Sequence, residues 1–204
     1  MTQSRSGLHG AQRHLDATLR QTLPAMLLRA SASDSDEPLQ VERAAMASAP
    51  TQMAAAQSAD PTTRAQLEAL YARCLQTYRR AIRPQDTAWD DVGAAVALFV
   101  AVNLHALHDI EATPSVLDVL ERQLRSVTRR SAEWDVASRE QRQFFFERIA
   151  ILGVLMAGNH GKAKSQGATA LAELHRIARE YLEQLLGFNA DRLTVGPAGL
   201  AMRG

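Results

Sequence analysis

A chain of 204 residues with 46% apolar and 22% charged side chains can bury one ordinary core, which excludes a fibrous or wholly disordered protein. A formal net charge of +1 excludes a global field that recruits nucleic acid or an anionic membrane. A single cysteine, Cys74, excludes an internal disulfide and a multi-cysteine zinc site.

Aromatic residues make up only 5% of the chain, while alanine and leucine dominate, which favours helix over sheet. Residues 1–30 read as an N-terminal amphipathic helical segment, with Leu15, Leu19, Leu23 and Leu27 in step and Pro24 interrupting them. "LPAMLLRASAS" joins a short apolar run to small residues, but Arg29 breaks it and no convincing signal peptide results. No run approaches the roughly 18 apolar residues that span a bilayer, so no integral membrane segment is expected. Residues 31–60 are rich in Ala, Ser, Asp, Pro and Gln and read as a low-complexity linker, with weak helix at 40–48.

The bundle domain is expected over 61–204. Asp60-Pro61 is an N-cap followed by a first-turn proline, and Leu67, Leu70, Tyr71, Cys74, Leu75, Tyr78 and Ile82 carry a helical stripe ending before Pro84. Cys74 lies on that stripe, which suits a core thiol better than a nucleophile. A second helix is expected from Trp89 to Ile110, with Asp90 and Asp91 at its positive end. It is apolar on nearly every side from Val92 to Val102, the mark of a central helix.

Thr113-Pro114 opens a third helix with Val116, Leu117, Leu120, Leu124 and Val127 on its stripe. Ser138 and Gln141 form a capping box before a fourth, which carries "FFFERIAILGVLMAG". "NHGKAKSQG" (159–167) reads as a glycine-bounded connector. A fifth helix over 168–187 presents Leu171, Leu174, Ala178, Tyr181, Leu182 and Leu185, and the tail beyond it reads as a docked or frayed end. Nothing alternates at period two long enough for a sheet. The expected fold is all-α, a single helical bundle of about five core helices with an extra N-terminal helical segment and a linker.

Chemistry is sparse. In "NLHALHD" (103–109), a wheel at about 100° per residue puts Asn103 and Leu107 on the face of Val92, Val96, Phe99, Val100 and Ile110. His105 points almost oppositely, with His108 about 60° away, and both extend a side of small residues made by Ala94, Ala97 and Ala101. That side is a candidate interaction surface, where another backbone can approach closely.

His105, His108 and Asp109 are a candidate metal trio, opposed by the lack of an H-E-x-x-H or E-x-x-H pattern. His160 and His175 are only remote further ligands. Asn103 is expected to be buried and to fix how two helices pack. Arg79, Arg80 and Arg83 end one helix; Arg122, Arg125 and Arg129 line another beside Asp118 and Glu121. These read as dipole and ion-pair partners, so no nucleic-acid partner is expected. No phosphate loop, nucleophile elbow or repeat is found, so no cofactor and no catalytic residue is assigned.

Four pieces, "YRRAIRPQD", "DDVGAAVALFVAVN", "QRQFFFERIAILGVLMAG" and "AREYLEQLLGFNADRLTVGPAGL", resemble an uncharacterised, mostly proteobacterial all-helical family, a domain of unknown function. The resemblance runs over about residues 67–200. It implies export behind an N-terminal leader and a variable linker, and supplies no catalytic or ligand residues. The combined expectation is a non-enzymatic module that binds a protein partner or its own copy. The alternatives are a metal-dependent enzyme built on His105 and His108, or a carrier of a small apolar ligand.

Overall fold

The computed structural model describes residues 39–42, 48–82 and 89–203. The expected N-terminal segment 1–30 lies outside them. Helices form nearly all of the body: α1 (Ala49–Gln57), α2 (Pro61–Ile82), α3 (Val92–His108), α4 (Pro114–Arg129), α5 (Ala132–Val136), α6 (Arg139–Gln166) and α7 (Ala168–Leu186). Two small antiparallel ribbons join them, β1 (Gln40–Glu42) with β2 (Trp89–Asp91), and β3 (Leu193–Gly196) with β4 (Gly199–Met202).

The all-α expectation holds, and the helix starts follow their caps. Asp60 accepts from the Thr63 amide at 2.7 Å and Thr113 from Val116 at 3.4 Å. Ser138 and Gln141 close a reciprocal box. α3 is the central helix, packed on α4, α6 and α7, and every residue from Val92 to Ala97 is buried. It stops two residues before the expected Ile110, because Asp109 turns into the left-handed region at φ 57° and its amide closes on the His105 carbonyl.

Three segments differ from the sequence expectation. First, 159–167 is no connector: α6 runs unbroken for 28 residues to Gln166. Gly158 and Gly161 sit inside it at about 1 kcal/mol each against alanine, with open space around both. The buried His160 and Ala163 on the opposite side tie the last turns to the body, so packing overrides propensity.

Second, 40–42 is a strand where weak helix was expected, and 43–47 lie outside the described residues. Part of the expected tether is core: Ala49, Met53 and Ala54 of α1 are buried. An alanine-rich segment shows no stripe to read, yet small side chains let α1 lie close against α2 and α6. Third, the tail is a hairpin. Strands of four residues are too short to show alternation, and Gly199 supplies the left-handed φ of 92° beside the turn.

α3 and α6 run in the same direction. Gly153 lies beside Leu98 and Phe99, His160 against His105, and Lys164 against Asp109, the last pair 55 residues apart in the chain. Parallel neighbours need a long crossover, which α4 and α5 provide. This register sets the C-terminal end of α3 beside the last turns of α6.

Candidate metal centre

Asp109 follows His105 by one helical turn, so the two side chains share a side of α3 at its C-terminal end. The parallel register brings His160 of α6 to the same place. One ligand atom from each of His105, Asp109 and His160 lies within 4.8 Å of the other two, and the imidazoles meet edge to face with centroids 4.4 Å apart. Around a tetrahedral first-row ion with bonds near 2.1 Å, neighbouring ligands stand about 3.4 Å apart. The three groups therefore close on an ion with side-chain movement of roughly an ångström.

Protonation suits that role. Burial, then the neighbouring His105, push the His160 imidazole below its ordinary value and favour the neutral ring that a metal needs. The Lys164 ammonium, 2.9 Å from Asp109, holds that carboxyl below the usual range, so it is ionised at neutral pH. Nδ1 of His105 is buried and has no hydrogen-bond partner among the described residues.

His108, expected beside them, is not in the cluster. Its Nε2 donates to the Ala190 carbonyl at 3.0 Å and pins the 3-10 turn, Ala190–Arg192, that leads into the C-terminal hairpin. The sequence groups His108 with them because it reads His160 as part of a connector; the helical, buried setting of His160 is what aims it at α3. Ala94, Ala97 and Ala101 are 5%, 3% and 6% exposed, so they present no free face. α6 packs closely on α3 elsewhere along the helix, where a Cβ on Gly153 would stand 3.6 Å from the Phe99 Cα.

Asn103 is fully buried as expected, but it does not bridge helices. Its Nδ2 donates to the Phe99 carbonyl of its own helix at 2.7 Å, and Oδ1 has no partner among the described residues. A buried acceptor without a donor costs about 1–3 kcal/mol. Asn103→Leu, close in volume, is therefore expected to raise stability by roughly 1 kcal/mol in urea titration. A loss of stability would mean that the amide has a role these contacts do not contain.

The other buried charges serve the fold. Arg79 grips Asp90 with two bonds, 2.6 and 3.3 Å, and stands 3.8 Å from Glu147. Glu147, fully buried on α6, accepts from the Ser48 and Ala49 amides at 2.9 and 3.0 Å and from Gln143 at 2.9 Å. It caps α1, whose own Ser48 side chain makes no cap bond. Arg125 joins Asp91 at 2.8 Å and also Glu121, while Asp91 caps α3 through the Gly93 amide.

Gly93 is required there, because a Cβ would lie 2.8 Å from that of Arg125. Burial pushes the Cys74 thiol up, which suppresses thiolate chemistry. Among the described residues no helix is long and apolar enough to cross a membrane.

Arg79, Asp90, Asp91, Gly93, Gln143 and Glu147 all fall in the sequence pieces that carry the family resemblance, and the fold gathers them into the two ionic clusters beneath β2 and α1. No curated protein and no solved structure matches the chain. The Family of unknown function (DUF6683) matches residues 8–203, nearly the whole sequence, and the chain belongs to that family.

Proposed function

We propose that this protein binds one divalent first-row transition-metal ion at His105, Asp109 and His160. The observation that carries this is the convergence of two imidazoles and a carboxylate, from two helices in parallel register, within 4.8 Å. Two nitrogens and one oxygen suit zinc, cobalt, nickel or copper better than magnesium or calcium, which want oxygen ligands. The role is binding rather than turnover. Among the described residues the buried carboxylates, Asp90, Asp91 and Glu147, are committed to arginines and helix amides, and none of the three belongs to the cluster as a general base.

Asp109 is 72% exposed in its side chain, so the open positions of a bound ion face solvent. That favours a second reading, in which a side chain from another copy completes the coordination and the ion drives self-association.

Equilibrium dialysis of the full chain against zinc, with metal analysis, is expected to give one ion per chain. His160→Ala should weaken binding by about tenfold or more. Unchanged binding in a His105→Ala/His160→Ala double variant would remove this site from consideration. Sedimentation with and without zinc tests the second reading, and an unchanged monomer would reject it.

A further inference from the structure

Besides its three candidate ligands, the cluster contains a cationic side chain. Lys164 follows His160 by one turn on the same side of α6, and its Nζ donates to Asp109 Oδ1 at 2.9 Å. Its side chain is half exposed and reaches across the helix junction, so the ammonium takes up one oxygen of the only carboxylate in the cluster. An incoming cation needs that carboxylate and must also settle close to the ammonium.

We infer that Lys164 is a built-in competitor for the metal, holding Asp109 while the site is empty and setting the affinity of the site. This rests on the metal-binding reading above. Lysine and ion are alternative staples of one junction: each ties Asp109 at the end of α3 to the last turns of α6, the lysine directly and the ion through His160. The apo protein therefore keeps its local geometry, and binding amounts to cation exchange, with the ammonium released to water as the metal enters.

Charge sets the expected size. A unit charge facing a divalent ion across roughly 5 Å of water-like surroundings lowers its affinity by about tenfold, and salt reduces the effect.

The test is calorimetric titration of the full chain with zinc ion alone, at low and high salt. The forms compared are wild type, Lys164→Met, which keeps the stem without the charge, and Lys164→Arg, which keeps the charge. Lys164→Met is expected to bind about tenfold tighter than wild type at low salt, with a smaller gap at high salt. Lys164→Arg should stay within about threefold of wild type.

Binding by Lys164→Met equal to or weaker than wild type overturns the competitor role while leaving the metal site intact. Binding by Lys164→Met alone, with none in wild type, supports it in its strongest form. Absence of binding in every form overturns both readings. Lys164→Gln repeats the comparison with a polar stem, and a wild-type affinity there also counts against the inference.

Discussion

Replacing Glu147 with alanine lowers the free energy of unfolding by about 3–5 kcal/mol, measured by urea titration. The carboxylate is fully buried and its loss orphans several groups at once. The Ser48 and Ala49 amides lose their acceptor, Gln143 loses its partner, and the positive field of Arg79 loses half of its counter-charge. For a chain of this size, about 2–4 °C of melting temperature accompanies each kcal/mol, so the midpoint falls by roughly 6–20 °C.

The loss is also local. Hydrogen exchange at the amides of α1 should rise well above that of α3, because Glu147 supplies the cap that α1 lacks. A variant within about 1 kcal/mol of wild type would show that the arm is held by its alanine and methionine packing, and that the buried charge is incidental.

Gln123→Leu should cost about 2–4 kcal/mol, the second large effect. The Gln123 amide pairs with one residue of the hairpin as a neighbouring strand would: Nε2 donates to the Leu200 carbonyl at 3.1 Å and Oε1 accepts from the Leu200 amide at 2.7 Å. Both contacts are buried. Leucine fills a similar volume but leaves a backbone donor and acceptor unpaired in the core.

The same contact explains why position 199 needs glycine. Its φ is 92°, and a Cβ there would lie 2.5 Å from the Gln123 oxygen. Nuclear magnetic resonance exchange of the β3–β4 amides is the direct readout, and unaltered protection in Gln123→Leu would contradict the strand-like role.

Elements that carry their own signals were legible in the sequence. α2, α4 and α7 each combine a cap with a clean apolar stripe, and the start of α6 has its box, so local chemistry and burial agree. What failed depended on partners far along the chain. α1 has neither a stripe nor a cap of its own; its cap is a glutamate 98 residues later. The last turns of α6 contain two glycines, and only their docking on α3 makes them helix.

The site was half legible for the same reason. His105 and Asp109 belong together by helical spacing, whereas His160 joins them only once the parallel register is known. The sequence offered His108 in its place, and angular proximity on one helix is a weaker guide than the direction of the neighbouring one. Asn103 was located correctly inside the core, but a side chain bonded to its own helix reads the same in sequence as one that bridges two.

The direction shared by α3 and α6 also sets a timetable for synthesis. α3 is the most apolar helix, yet the three helices that cover it, α4, α6 and α7, all follow it in the chain, and α7 ends at Leu186. At roughly 5–20 residues per second, the stretch from the end of α3 to the end of α7 takes on the order of 4–16 s to emerge. Throughout that interval the nascent chain displays apolar surface of a helix that the finished protein largely buries. Transient exposure of this kind promotes aggregation, so soluble yield on overproduction is expected to rise with chaperone capacity.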